Sequence, residues 1–324
     1  MKIYANDRHA LPLPQGHRFP SAKYRLLRER VCQTWPDWTI DEAEPASDGE
    51  LALAHDPPYI QSVLDGTLSE AAQREIGFPW SPAMVQRARR SVGATIAAAR
   101  AALGDGVAVH LAGGTHHANR DRGSGYCVFN DVAVAARLMQ AEVHRRERRL
   151  LRVWVIDLDV HQGNGTAEIF RDDPTVYTLS LHGARNFPAR KVAGDLDIDL
   201  PDGCGDAHYL QALDDALALG WSRQRDMGVP GLAFYLAGAD PHEGDRLGRL
   251  KLSAAGLAER DRRVLAALGR WRIPVALTMA GGYGRDIDVT VALQLETVRL
   301  AWQAWRHWHA GDSPAAAGAE QSPT

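Results

Sequence analysis

Short apolar runs alternate with longer amphipathic segments along most of the chain from about residue 80 onward. The runs are rich in β-branched residues, which is typical of strands buried on both faces of a sheet. They lie at 107–111, 153–156, 176–179, 232–236 and 275–279. Helical patterns lie between or beside them, at 81–103, 130–148, 206–220, 253–269 and 287–306. Ser81 and Pro82 favour a helix start, because serine caps a helix and proline suits its first position.

This alternation predicts a mostly parallel sheet with right-handed crossovers and helices on both faces. We therefore predict a single three-layer α/β/α domain over residues 1–308, because no linker-like segment interrupts the pattern. Residues 6–60 contain more proline and aromatic residues, and we expect loops and short helices there, at the rim of the sheet. Residues 309–324 lack large apolar side chains and are expected to form a disordered tail.

Charge excludes some classes of function. The 324 residues carry 37 Lys and Arg against 40 Asp and Glu, a net charge of −3. Coating nucleic acid requires a strong basic surplus, so we expect no nucleic-acid partner. The basic run at 144–149 is better interpreted as the solvated end of a helix, where cations suit the helix dipole.

Location is predicted from cysteines and apolar stretches. No stretch of 18 residues is both apolar and free of charge, and the first residues form no apolar signal segment, so no membrane association is expected. The three cysteines, Cys32, Cys127 and Cys204, are scattered along the chain. This pattern favours a reducing, cytoplasmic location.

Polar residues suited to metal binding or proton transfer follow every one of the five apolar runs. In open α/β sheets, ligands bind beyond the carboxyl ends of the strands. The residues at those positions are His116, His117, Asp157, Asp159, His161, Ser180, His182, Asp240 and Tyr283. We therefore predict that they converge on one site.

Three of these residues form a candidate metal site. Asp159 and His161 are two residues apart, so they share one face of an extended segment. Asp240 follows a different strand and supplies a third ligand, while Asp157 lies behind the first two. Two carboxylates and one imidazole leave coordination positions for water, which is typical of a catalytic metal. Such a metal makes water a nucleophile near neutral pH.

Other residues provide acid–base and electrostatic chemistry. His116 and His117 are adjacent in a glycine-rich loop and can divide the tasks of general base and general acid. Tyr283 follows two glycines, and its hydroxyl is suited to stabilising an oxyanion near the metal. The chain contains no GxSxG elbow and no P-loop, and the segment at 163–168 lacks the third glycine of a dinucleotide-binding loop.

Six sequence blocks occur in the order and spacing of the zinc-dependent histone deacetylases, and the chain resembles that family. The blocks are GGTHHA at 113–118, GYCVFND at 125–131, DLDVHQGNGT at 157–166, SLH at 180–182, GAD at 238–240 and GGY at 281–283. Two further segments, LPLPQGHRFP at 11–20 and EGDRLG at 243–248, resemble the bacterial and class IV branch. The resemblance implies the arginase/deacetylase fold with its eight-stranded parallel sheet.

The resemblance also implies roles for individual residues. Asp159, His161 and Asp240 are expected to hold Zn²⁺, although this donor set suits Fe²⁺ as well. The tandem base and acid are His116 and His117, Asp157 orients His116, and Tyr283 polarises the substrate carbonyl. Gly125, Tyr126 and Phe187 are expected to line a narrow acyl-lysine tunnel. A monovalent cation, K⁺, is expected at Asp157, Asp159, His161, Ser180 and main-chain oxygens that include Leu181.

Two positions refine this expectation. Class I members have an aspartate where this chain has Asn164, and an amide orients His117 without adding charge. We therefore expect the imidazolium of His117 to be less stabilised than it is beside a carboxylate. A polyamine-selective relative has a glutamate at the position of Leu247, so the leucine disfavours a cationic polyamine substrate.

The predicted function is metal-dependent hydrolysis of an N-acyl-lysine amide. The alternatives are deacetylation of a small acylated amine, a binuclear ureohydrolase of the arginase type, and a non-catalytic acyl-lysine-binding module. The ureohydrolase is disfavoured because Gly163 and His242 stand where carboxylates would bind a second metal. The binding module is disfavoured because the ligands, both histidines and Tyr283 are all present. Acyl length, the choice between protein and small-amine substrates, and oligomeric state stay open.

Overall fold

A parallel β-sheet lies at the centre of the molecule, which is described by a computed structural model for residues 1–9 and 11–310. Its strands are β1 (Lys2–Ala5), β2 (Ile40–Glu42), β3 (Val107–His110), β4 (Val153–Asp157), β5 (Val176–Gly183), β6 (Leu196–Leu200), β7 (Leu232–Leu236) and β8 (Val275–Thr278). Within these residues the sheet has eight strands in the order β2-β1-β3-β8-β7-β4-β5-β6. All neighbouring strands are parallel.

Helices pack on both faces of the sheet. They are α1 (Ala22–Thr34), α2 (Asp48–Leu51), α3 (Pro57–Asp65), α4 (Glu70–Ile76), α5 (Pro82–Asp105), α6 (Asp131–Glu147), α7 (Asn164–Phe170), α8 (Asp206–Met227), α9 (Ala254–Arg270) and α10 (Ile287–Ala310). Alternate residues of β4 enter different cores: Val153 and Val155 pack toward α5 and α6, and Trp154 and Ile156 toward α8, α9 and α10. The predicted three-layer α/β/α fold is therefore confirmed.

Local chemistry explains where the main helices begin. The Ser81 hydroxyl accepts a hydrogen bond from the Met84 amide at 3.1 Å, and Pro82 occupies the first helical position of α5. Asn130 caps α6 in the same way, because its Oδ1 accepts a hydrogen bond from the Ala133 amide at 3.0 Å. No helix among the described residues has the length and apolar character needed to cross a bilayer.

The structure differs from the sequence prediction mainly at the edges of the sheet. We predicted none of β1, β2 and β6, because these strands are short and mix polar with apolar residues. The expectation of only loops and short helices over residues 6–60 was wrong for α1, which has 13 residues and packs against α10. The predicted tail starts at 309, but α10 extends to Ala310, and residues 311–324 lie outside the described residues.

Candidate active site

The carboxyl ends of the central strands lie side by side at one edge of the sheet. Asp157, at the end of β4, pairs in register with Ser180 on β5 and with Leu236 on β7. Leu236 in turn pairs with Thr278 on β8. The segments that follow these strands therefore meet, as the sequence predicted.

Asp159, His161 and Asp240 form a compact, buried cluster. One potential ligand atom from each lies within 4.8 Å of the others. The Nδ1 atom of His161 is 2.9 Å from Asp159 Oδ1 and 3.2 Å from Asp240 Oδ2. Asp159 is 1% exposed, Asp240 0% and His161 8%, so the cluster is shielded from bulk water.

Several features show that this cluster fits a divalent cation. Asp240 Oδ2 is buried, and the donor beside it, His161 Nδ1 at 3.2 Å, is already hydrogen-bonded to Asp159 Oδ1 at 2.9 Å, so within the described residues this oxygen lacks a donor of its own. Burial and the neighbouring Asp159 carboxylate raise the pKa of Asp240 to about 7, and a cation would relieve both effects. A Cβ atom on Gly281 would lie 1.9 Å from Asp240 Oδ2, so glycine keeps the space beside the cluster open. The two carboxylates and the imidazole suit zinc or ferrous iron.

The two histidines differ in their hydrogen-bond partners. His116 Nδ1 lies 2.6 Å from Asp157 Oδ2, and His117 Nδ1 lies 2.7 Å from Asn164 Oδ1. The ring centroids of the histidines are 4.1 Å apart. Because both partner oxygens accept hydrogen bonds, each Nδ1 carries the proton, and each Nε2 is left for exchange with substrate or water.

Their different surroundings shift the pKa values of the two histidines in opposite directions. Burial alone would lower the pKa of His116, but the carboxylates of Asp157 and Asp159 outweigh it and raise that pKa to about 9. Burial also lowers the pKa of His117, well below its ordinary value, and the positive charges of His116 and His161 lower it further. The amide of Asn164 only partly opposes this effect. The pair therefore combines a histidine that favours its charged form with one that favours its neutral form.

Tyr283 is nearly buried, and its ring centroid lies 6.2 Å from that of His161. Burial and nearby carboxylates raise the pKa of Tyr283 well above its usual value, so its hydroxyl stays protonated and can donate. Its main-chain amide donates to Asp245 Oδ2 at 2.6 Å. The buried Lys23 ammonium donates to the carbonyl oxygen of Gly282 at 3.1 Å. The loop carrying Tyr283 is thus held on two sides.

Four supporting residues were not assigned a role at the site by sequence reasoning. Asp131, in the first turn of α6, accepts the main-chain amides of Gly114 and Thr115 and so fixes the histidine loop. The buried Arg260 donates to the carbonyl oxygens of Gly238 at 2.6 Å and Leu158 at 3.3 Å, just before Asp240 and Asp159. The other two are Lys23 and Asp245. Only the EGDRLG block indicated Asp245, because a charged residue is expected at the protein surface when its tertiary contacts are unknown.

A cleft of about 420 Å³ leads from the surface to these groups. The cleft reaches His117, His161 and Tyr283 at its inner end. We call these three the floor, together with the buried side chains that contact them, which are His116, Asp159 and Asp240. The residues around its entrance, which we call the mouth, are Arg74, Glu75, Arg185, Phe187, Leu247 and Arg249. The predicted tunnel residues Gly125 and Tyr126 lie between the floor and the mouth.

The cleft is narrow next to His117. The Phe187 ring lies 4.8 Å from the His117 ring and perpendicular to it. A Cβ atom on Gly125 would lie 2.6 Å from His117 Cδ2 and 3.2 Å from Phe187 Cε1, and the φ of 53° also favours glycine. Gly125 and Phe187 therefore leave only a narrow passage beside His117.

The predicted K⁺ site lies at the neighbouring strand end. Ser180 pairs in register with Asp157, and its hydroxyl is 2.9 Å from His182 Nδ1. Ser180 and Leu181 are both buried within β5. Binding of K⁺ there stays a prediction.

Comparisons with known proteins agree with this geometry. A family model described as "Histone deacetylase domain" matches residues 17–297. An uncharacterised protein of Picosynechococcus sp. is 44% identical over 289 residues, which cover 88% of this chain and 92% of that protein. Histone deacetylase 2 of Arabidopsis thaliana is 32% identical over 306 residues, which cover 87% of this chain and 73% of that protein.

Solved structures show the same architecture. The crystal structure of an HDAC homologue from Aquifex aeolicus superposes with a TM-score of 0.77 at 23% identity, covering 93% of this chain and 84% of that one. This likeness confirms the arginase/deacetylase fold. Because the family model covers most of the sequence, the chain belongs to the histone deacetylase family of enzymes.

Proposed function

We propose that this protein is a metal-dependent deacylase that hydrolyses the amide of N-acyl-lysine in a peptide or protein. The observation that carries the proposal is the arrangement of the floor. A buried Asp159–His161–Asp240 cluster, a histidine pair and a protonated tyrosine meet at the end of one narrow cleft. We propose Zn²⁺ as the cation, with Fe²⁺ as the alternative, and K⁺ at the Asp157–Ser180 strand ends.

Each floor residue has a defined task in this proposal. Asp159, His161 and Asp240 would hold the cation, which polarises the acyl carbonyl and makes water more acidic. His117 Nε2 accepts the proton of the attacking water, because its Nδ1 donates to Asn164 and its ring favours the neutral form. The Tyr283 hydroxyl donates a hydrogen bond to the oxygen that gains negative charge.

The later steps of hydrolysis require protonation of the leaving amine and exclusion of bulk water from the floor. His116, kept charged by Asp157, stabilises the negative charge that develops beside it, and the histidine pair returns a proton to the leaving amine. Gly125 and Phe187 enclose the aliphatic stem of the lysine and exclude water from the floor. The products are a carboxylate and the free lysine amine.

An assay with metal-loaded protein tests the proposal. The substrates are peptides with acetyl-lysine and longer acyl-lysines, compared with small acylated amines. We expect peptide hydrolysis that a chelator abolishes and that added Zn²⁺ or Fe²⁺ restores. Failure of the loaded protein to hydrolyse any acyl-lysine, or hydrolysis that is insensitive to chelation, would overturn it.

Metal content separates this proposal from a binuclear ureohydrolase. A Cβ atom on Gly163 would lie only 2.3 Å from Asp157 Oδ2, so the site does not accommodate a carboxylate side chain at that position. We expect one divalent ion per chain at the cluster. Two ions per chain, with hydrolysis of a guanidino compound, would favour the ureohydrolase instead.

A further inference from the structure

The charged residues of the cleft are concentrated at its mouth. Three arginines and one glutamate line the mouth, namely Arg74, Arg185, Arg249 and Glu75. The arginine side chains are 71%, 70% and 53% exposed in that order, whereas His117 at the floor is 5% exposed. The positive charges therefore surround the part of a substrate that stays outside, not its acyl end.

Carboxylates of the chain neutralise these arginines only in part. Arg185 Nη1 and Arg249 Nη1 lie 3.4 Å and 3.2 Å from the same oxygen, Asp202 Oδ2. One carboxylate cannot neutralise two guanidinium groups. Arg74 lies 3.3 Å from Glu70, but the Glu70 side chain is 92% exposed, so water and salt screen this pair. Glu75 also offsets Arg74. Among the described residues, the unbalanced positive charge therefore lies on the Arg185–Arg249 side of the mouth, where two guanidinium groups share one carboxylate.

The segments that carry the arginines are fixed to the cleft. Asn186 is 3% exposed, and its side chain accepts the Arg249 amide and donates to the Leu247 carbonyl oxygen at 2.8 Å. This one amide joins the segment of Arg185 to that of Arg249. On the opposite wall, the Gly125 amide donates to the Glu75 carbonyl oxygen at 3.0 Å, which ties the end of α4 to the tunnel.

A fourth arginine lies beside the floor tyrosine. Arg246 Nε donates to the carbonyl oxygen of Tyr283 at 2.9 Å, and its Nη2 donates to that of Arg18 at 3.3 Å. Carbonyl oxygens orient a guanidinium group without cancelling its charge. The buried Asp245 carboxylate, which accepts the Tyr283 amide, offsets part of the positive charge that Arg246 adds on this side of the cleft.

We propose that the mouth selects acyl-lysine residues that lie in acidic peptide segments. This inference rests on the proposed deacylase function and adds the chemistry of the flanking sequence. Carboxylates two or three residues from the acyl-lysine reach Arg185 and Arg249, and guanidinium groups bind carboxylates through paired hydrogen bonds. A segment rich in lysine or arginine meets like charge at the same place.

Peptide pairs test this selection. Acetyl-lysine peptides of equal length are flanked by Asp and Glu, by Gln, or by Lys and Arg, and kcat/KM is measured for each on the metal-loaded protein. We expect the acidic peptide to exceed the basic one by about 10-fold or more, mainly through KM. The ratio is expected to shrink at high salt, because exposed charges are screened.

Variants of the mouth locate the effect. In Arg185→Gln with Arg249→Gln, the acidic-to-basic ratio is expected to fall several-fold toward that of uncharged flanks. The matched control is Arg145→Gln with Arg146→Gln, which removes the same charge from the end of α6, near the amino ends of the strands. The control is expected to keep the ratio. Arg185→Glu with Arg249→Glu is expected to reverse it.

The outcomes separate this inference from the proposed function. Equal kcat/KM values for acidic and basic peptides, or a ratio that the mouth variants leave unchanged while thermal unfolding shows them folded, overturn the inference alone. Absence of hydrolysis for every peptide by metal-loaded protein overturns the proposed function instead.

Discussion

The floor and the mouth of the cleft are built on opposite principles. At the floor, the charged groups are buried and tied to fixed partners: His116 Nδ1 lies 2.6 Å from Asp157 Oδ2, and Asp159 accepts the Gly281 amide at 2.6 Å. At the mouth, the arginines are exposed, and two of them share one carboxylate. The side chains of the floor are therefore held in fixed positions, whereas the arginines of the mouth are free to interact with charges on a substrate.

This difference indicates what each region controls. Electrostatic interactions are strong where water is excluded, and a buried group left without its partner is costly. Exposed ion pairs contribute about 0–1 kcal/mol and weaken with salt. We therefore expect floor substitutions to change metal binding and kcat, and mouth substitutions to change KM and the choice between substrates.

The largest effect is expected from His161→Ala at the floor. This change removes the only nitrogen of the proposed ligand set and leaves the Asp159 and Asp240 carboxylates facing each other. We expect metal affinity to fall by more than about 100-fold and turnover to reach background. Metal analysis after dialysis, together with a deacetylation assay, measures both.

The exposed His307 provides the control, since His307→Ala also removes an imidazole but lies near the end of α10. It is expected to keep both metal and turnover. Normal metal content in His161→Ala would show that the cluster is not the metal site.

The next effect is expected from Tyr283→Phe, which removes one hydroxyl and keeps the ring. The proposed oxyanion loses a hydrogen-bond donor, so we expect kcat to fall by about 100- to 1,000-fold. Metal content is expected to stay the same, because the tyrosine is not a ligand. Near-normal turnover would remove Tyr283 from the mechanism, and Tyr177→Phe on β5 controls for loss of a tyrosine hydroxyl elsewhere.

The same contrast explains how much of the molecule could be predicted from sequence. The central strands β4, β7 and β8 are uninterrupted apolar runs, because both faces are buried, and their ends located the floor. The edge strand β6 reads LDIDL and escaped prediction, since its exposed positions are polar. The hydrophobic pattern of the sequence thus predicts strands that are buried on both faces, but not edge strands with exposed positions.

Contacts between distant segments were harder to predict. The pairing of His116 with Asp157 spans 41 residues and was expected only from the family resemblance. Lys23 and Arg260 are buried, but charged side chains are mostly exposed and no sequence motif singled out these two. The arginines of the mouth come from separate segments, and no run of sequence brings them together. Such features depend on tertiary packing, which periodicity does not encode.

Asp245 connects the floor to the mouth, and Asp245→Asn is expected to have an intermediate effect. Its Oδ2 accepts the Tyr283 amide at 2.6 Å, and its Oδ1 accepts the Leu247 and Gly248 amides at 2.7 and 2.9 Å. Asparagine has only one accepting oxygen, so at least one of these buried amides loses its partner. We expect unfolding free energy to fall by about 1–3 kcal/mol.

The kinetic consequence of Asp245→Asn follows from the geometry. A shifted Tyr283 loop is expected to lower kcat by about 10-fold, less than Tyr283→Phe because the hydroxyl is still present. Urea unfolding and steady-state kinetics measure the two effects. Asp286→Asn is the control, because Asp286 accepts the Asp288 amide at an exposed position. Unchanged stability and kcat in Asp245→Asn would show that this bridge does not position the tyrosine.

The smallest effect is expected at the mouth from Leu247→Glu, which adds a carboxylate beside the mouth arginines. A single half-exposed charge contributes about 0.2–1 kcal/mol, which corresponds to about 1.4- to 5-fold in kcat/KM. We expect this gain for a cationic acetylated polyamine relative to an uncharged acetyl-lysine amide. Leu247→Gln is the matched control, because it changes shape and polarity without charge. Equal ratios of polyamine to acetyl-lysine kcat/KM in the two variants would mean that the arginines neutralise the new carboxylate. The double variant Leu247→Glu with Arg249→Gln removes one of those arginines and is then expected to prefer the polyamine. If it shows no such preference, charge at the mouth does not select the substrate.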